Sequence, residues 1–170
     1  WLWIHLIPLR TLAYRANLLS AFFGALSASI IYLITMRMTR RPLASLAGAL
    51  YLAFSFVFWS QSVITEVYTL NVFFLVLLIY LLLLWEERTE REGENHRVLY
   101  AIALLYGLSL THHRLMFLVF PALLLFIWQV DRRVLFNRGL ILRLGAFLAL
   151  GFSIYLYIPL RLLFRRGALS

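Results

Sequence analysis

Six apolar runs alternate with short polar breaks along the 170 residues. They cover about Ala16–Met36, Leu43–Trp59, Val67–Trp85, Val98–Thr111, Leu115–Val130 and Leu140–Ile158. Crossing a bilayer takes about 20 apolar residues in a helix. The pattern predicts an all-α fold, a polytopic transmembrane helix bundle of about six spans, forming one transmembrane domain over residues 1–170. Val98 to Val130 taken as one helix would be about 50 Å long, too long for one crossing. It would also hold Arg114 in mid-membrane, at about 2.5–3.5 kcal/mol. Two spans meeting at His112-His113-Arg114 are therefore predicted, with the turn in a protein-lined cavity.

Composition supports this reading: 64% of residues are apolar and only 14% charged, against roughly half and a quarter in soluble domains. The formal net charge is +9, from sixteen basic residues that are all arginine. Such a balance can signal nucleic-acid binding, but the arginines cluster at the ends of apolar runs, which is the mark of membrane topology. The absence of cysteine excludes disulfides within this chain. The first residue is Trp1 rather than methionine, so an internal fragment of a longer protein is expected.

The breaks fall on two sides. Arg37, Arg40, Arg41, Arg88, Arg91, Arg97, Arg132, Arg133, Arg138 and Arg143 share one; Arg10, Arg15, Arg114, Arg161, Arg165 and Arg166 share the other. The arginine-richer side is assigned to the cytoplasm, which puts both chain ends outside. Six of the seven acids fall on the cytoplasmic side, and Glu66 alone falls outside. The outer rim should then be positive and attract an anionic head group such as a phosphate or diphosphate.

The polar stretch Trp59 to Asn71 carries the densest candidate chemistry. Glu66 would serve a helix dipole as a first-turn acid, or a substrate hydroxyl or metal ion as the acid of a pocket. Gln61, Tyr68 and Asn71 flank it, and Tyr68 and Asn71 are three apart on one helix face. Tyr68 also suits an interfacial aromatic belt with Trp59. In His112-His113-Arg114, two imidazoles and a guanidinium close one turn, and a guanidinium fork matches phosphate. Arg15 and Arg161 are ordinary interfacial anchors that lie on the same predicted rim as Glu66. No cofactor is evident, no residue is assigned as a metal ligand, and a divalent metal is compatible but not required.

The segments Ala13 to Leu26, Phe58 to Trp85, Gly107 to Leu125 and Tyr155 to Arg161 occur in an order that resembles a family of polytopic membrane proteins related to a vertebrate transmembrane protein O-mannosyltransferase. The specific part is Trp59-Ser60-Gln61 followed by Glu66-Val67-Tyr68 and Leu70-Asn71. The resemblance implies a GT-C-type membrane glycosyltransferase. Its donor would be a polyprenyl-phosphate-linked sugar in the membrane lipid, its acceptor a protein or glycan hydroxyl, and its active face non-cytoplasmic. Glu66 would then be the tentative catalytic acid. Gln61, Tyr68, Asn71, His112, His113, Arg114, Arg15 and Arg161 would bind substrate. A multi-pass bacterial inner (plasma) membrane is the implied location. The Asp-x-Gly-Glu-like and His-Pro-Pro-Gly-like stretches expected of such a family are not in this sequence, so the chain alone is expected to be inactive. A transporter or lipid-binding scaffold is the rival class, since an intramembrane acid can equally line a translocation path.

Overall fold

The structure is a computed structural model that describes residues 11–64, 68–92 and 96–156. Helices dominate the described residues, and no strand occurs among them. They are α1 (Leu12–Thr39), α2 (Pro42–Phe54), α3 (Phe56–Ser62), α4 (Tyr68–Glu92), α5 (His96–His112), α6 (Phe120–Asp131), α7 (Arg133–Phe136) and α8 (Arg138–Phe152). Short 3-10 segments, Arg114–Val119 and Ser153–Leu156, precede α6 and follow α8. An all-α polytopic membrane bundle results, in which four helical segments are long and apolar enough to cross a bilayer, or five counting the bent pair α2 and α3. α5 has 17 residues and is about 25 Å long, slightly short of a hydrocarbon core of about 30 Å.

Each boundary has a local cause. Thr11 caps α1, its Oγ1 accepting the Tyr14 N–H at 3.4 Å. Arg40 ends the helix in the left-handed region (φ 54°), donating its N–H to the Met36 carbonyl at 2.9 Å. Pro42 then opens α2, where a missing N–H costs nothing. α4 outruns its apolar stretch to Glu92, helped by the Glu87–Arg91 pair one turn apart at 3.0 Å. Pro121, at the start of α6, cannot donate to the preceding turn, and that turn is 3-10.

The second predicted span differs from expectation. It is not straight: α2 and α3 bend by 62° at Ser55 and continue to Ser62. Ser55 is extended (φ −63°, ψ 136°), and both its N–H and its Oγ donate to the Leu52 carbonyl, at 3.2 and 3.0 Å. A hydroxyl bonding back to the preceding turn replaces the regular ladder and bends the helix.

The chain forms two compact units, residues 1–83 and 84–170, and their boundary falls inside α4. In the first, α1 packs on α2 and α3. Ile30, Ile34 and Val76 form a buried cluster joined by Val72, Phe73 and Tyr80. Long side chains join α1 to α4: Phe23 meets Phe73 at 5.1 Å between ring centres, and the Arg37 guanidinium sits 5.0 Å from the Tyr80 ring. Buried serines cost little because Ser27 and Ser45 return their hydroxyls to the carbonyls of Phe23 and Arg41.

In the second unit, α5 packs on α8 along a seam of glycines. A Cβ on Gly107 would strike the Leu148 carbonyl oxygen, and one on Gly151 the Leu104 carbonyl oxygen. Tyr100 stacks on Phe147 at 4.9 Å beside this crossing. Small residues let helices in lipid approach closely enough for dispersion to hold them. Gly107→Ala should therefore destabilise the second unit by about 1–3 kcal/mol, because backbone atoms cannot yield as a flexible side chain would. Gly145→Ala, where nothing lies within 4 Å, should leave stability unchanged. Thermal unfolding of both variants in detergent checks the contrast; equal losses would contradict the seam.

Candidate functional site

Polar groups gather where the broken span ends and α4 begins. Gln61 lies in the last turn of α3, and Tyr68, Thr69 and Asn71 lie in the first turn of α4. The end of α3 is held against α1 at Gly24, where an added Cβ would come 2.7 Å from the Ser62 Oγ. That glycine thus seats the turn carrying Gln61.

A groove of about 500 Å³ lies here, lined by Leu52, Ser55, Phe58, Gln61, Tyr68 and Thr69 together with two valines. The bend contributes its own residues to the wall, as expected where irregular backbone at membrane depth borders a cavity. Tyr68 is half-exposed, whereas Thr69 is only 1% exposed. Among the described residues, four buried side-chain oxygens have no hydrogen-bond partner: Gln61 Oε1 and Thr69 Oγ1 on groove-lining residues, Asn71 Oδ1 on the turn beside it, and Thr89 Oγ1 farther along α4. Each orphan costs about 1–3 kcal/mol relative to a satisfied group. The concentration of the first three within one turn on either side of the α3–α4 junction marks a candidate site for a ligand that offers donors to the two amide oxygens and either a donor or an acceptor to the Thr69 hydroxyl.

Thr69 was not among the residues singled out from the sequence. The available signal was weak: one hydroxyl three residues beyond Glu66, indistinguishable by type from the serines and threonines that satisfy themselves within their own helices. Gln61 and Tyr68 were anticipated and do share the groove. Arg15, half-buried in the first turn of α1, belongs to the same unit. Glu66 and Arg161 lie outside the described residues.

His112, His113 and Arg114 belong to the second unit. The break anticipated there is real: α5 ends at His112, and His113 is extended at φ −142° and ψ 126°. His113 Nδ1 accepts the Leu115 N–H at 3.2 Å and caps the following 3-10 turn. An imidazole that accepts at Nδ1 carries its proton on Nε2 when neutral. Arg114 is exposed. The turn is tied down from below, since the buried Tyr106 hydroxyl donates to the Met116 carbonyl at 3.2 Å and its ring stacks on Phe120 at 6.0 Å. A cavity of about 230 Å³ in this unit is lined by apolar side chains and Tyr106; the histidines and Arg114 do not line it.

Residues 2–134 match the family described as protein O-mannosyl-transferase TMEM260 N-terminal domain. The chain belongs to that family. Its curated relatives include the protein O-mannosyl-transferase TMEM260 of Mus musculus, 29% identical over 157 residues, covering 92% of this chain and 22% of the relative. Another is the protein O-mannosyl-transferase tmem260 of Dictyostelium discoideum, 26% identical over 168 residues, covering 92% and 20%. The chain thus spans about a fifth of the length of these relatives. Both are eukaryotic, so the bacterial inner membrane expected from the sequence gains no support from them. No solved structure matches this TMEM260-family chain.

The cap at His113 has a measurable consequence. His113→Ala should cost about 0.5–2 kcal/mol of stability through loss of the capping acceptor, while His113→Asn, whose short side chain can cap, should restore most of it. Melting temperatures of the two variants in detergent test this; an alanine variant as stable as the parent would remove the cap from the account.

Proposed function

We propose that this chain forms part of a membrane-embedded glycosyltransferase that moves a sugar from a polyprenyl-phosphate donor to a protein or glycan hydroxyl on the non-cytoplasmic side. The observation that carries this reading is the groove at the α3–α4 junction, with its unpartnered Gln61 and Thr69 oxygens, in a chain whose relatives are named protein O-mannosyl-transferases. Oxygen acceptors buried in an otherwise apolar wall suit a neutral group rich in hydroxyl donors, which is the chemistry of a sugar. The amide oxygen of Gln61 only accepts and so faces a phosphate oxygen poorly, whereas the Thr69 hydroxyl donates or accepts and fits a sugar hydroxyl in either sense.

The roles divide accordingly. Gln61, Tyr68, Thr69 and Asn71 hold sugar or acceptor hydroxyls. Glu66, two residues from Tyr68 in sequence, is the pocket's acid and takes the hydrogen bond of a reacting hydroxyl. Each unit is assigned its own cations for a lipid-linked phosphate, Arg15 in the first and His112, His113, Arg114 and Arg161 in the second, where fixed positive charge would stabilise the anion. Nothing in this division requires a metal.

Membranes from cells expressing the whole gene product provide the assay. Thr69→Val keeps the shape and removes the hydroxyl, so transfer should fall about threefold to tenfold, the worth of a neutral hydrogen bond. Glu66→Gln should lower it by about tenfold to hundredfold, as a charged one would. Undiminished transfer by both variants, measured as labelled sugar incorporated into acceptor, would remove the groove from the reaction.

A further inference from the structure

The hinge between α6 and α8 carries a second kind of surface. α6 ends at Asp131, α7 makes a single turn over Arg133–Phe136, and Asn137 starts α8. Between them lies an open pocket of about 490 Å³ lined by Trp128, Arg132, Arg133, Phe136 and Asn137. Its two rings meet edge to face at 5.9 Å between centres. They are 49% and 69% exposed, so the apolar half of the pocket is open rather than filled.

The two hinge arginines outnumber the one acid beside them. Asp131 is the hinge's own acid, and its Oδ1 is committed to the backbone N–H of Arg133 at 2.9 Å. Among the described residues no carboxylate pairs with Arg132 or Arg133. Asn137 spends its Oδ1 on the Leu140 N–H at 3.1 Å, which leaves its amide nitrogen as a donor. The lining therefore offers only donors on one side and aromatic faces on the other. Arg138 and Arg143 follow on α8 and add to the positive field.

We propose that this pocket binds the head group of an acidic glycerophospholipid in the leaflet at the α6–α8 hinge. Guanidinium forks match the phosphodiester oxygens. Trp and Phe rings are stable at the depth of the glycerol and carbonyl groups, where one edge meets hydrocarbon and the other meets water. Basic pockets flanking membrane helices take anionic lipid for these reasons. The aromatic wall favours lipid over free phosphate, which has no apolar part to cover it. This site is independent of the sugar groove: it belongs to the opposite end of α6 from His113 and uses none of the residues assigned to transfer.

A photocrosslinking amino acid (p-benzoylphenylalanine) replacing Phe136 reports the pocket's occupant directly. The whole gene product is reconstituted in vesicles of equal parts phosphatidylcholine and phosphatidylglycerol, irradiated, and its lipid adducts are identified by mass. Phosphatidylglycerol should be enriched over phosphatidylcholine on the order of tenfold, as two fixed surface cations allow. The pair Arg132→Gln/Arg133→Gln should return the adducts to the bulk ratio. Arg40→Gln/Arg41→Gln, at a different hinge, should leave the enrichment intact. Arg132→Lys/Arg133→Lys serves if the glutamine pair fails to fold, and should lower the enrichment severalfold because ammonium groups lack the fork. Adducts at the bulk ratio with both arginines present would overturn the proposal. So would equal loss in the Arg40/Arg41 pair, enrichment unchanged in the Lys pair, or enrichment abolished by excess inorganic phosphate.

Discussion

Hydrocarbon offers no hydrogen bond to a peptide group, and this fold is organised by that lack. Every polar atom at membrane depth must be satisfied within the protein or by something that enters it. Helices satisfy the backbone. The buried serines follow suit, Ser27, Ser45 and Ser109 returning their hydroxyls to carbonyls of the preceding turn. Once side-chain polarity is absorbed this way, helices can only be held by close contact, and the glycines at 24, 107 and 151 mark where that contact is tightest. Against this economy the orphaned oxygens of Gln61, Thr69 and Asn71 stand out.

The same constraint explains why the broken span matters. A helix interrupted in lipid exposes carbonyls and amides, and the Ser55 hydroxyl repairs only part of the interruption. The bend borders a groove on the Ser55 side, while the neighbouring Phe54 and Phe56 rings are exposed. The cost of the bend and the orphan atoms fall in the same few turns, which is where a binding site would repay both.

Periodicity and run length made most of the architecture legible. The helices and the turn at His113 sit where apolar runs and arginine clusters put them, but the charged stretch from Glu86 to Glu92, polar enough to read as a connector, continues α4 as helix. The bend at Ser55 was not legible, because a single serine among phenylalanines reads as apolar on any running average; only its side-chain geometry reveals the break. Amide and phenol make Gln61 and Tyr68 conspicuous beside an acid, whereas Thr69 resembles the self-satisfied hydroxyls, and only the structure puts all three in one groove wall. The histidine turn was located correctly, but the capping bond at His113 Nδ1 depends on a backbone angle that sequence does not encode locally. The arginines illustrate the opposite case: the sequence shows them clustered at the ends of apolar runs, yet only the structure groups Arg132 and Arg133 with Trp128 and Phe136 around one pocket.

The central claim is that Gln61 and Thr69, with their orphaned oxygens, wall a substrate groove reached from the non-cytoplasmic side. This chain has no cysteine, so a single Thr69→Cys change creates a unique thiol within it. The rate of labelling by a charged, membrane-impermeant thiosulfonate, measured in sealed vesicles of known sidedness, addresses the claim most directly. The account predicts labelling from the non-cytoplasmic face, slowed severalfold by a polyprenyl-phosphate sugar. A thiol that stays unlabelled from that face, or one labelled at a rate indifferent to the lipid-linked sugar, would contradict it.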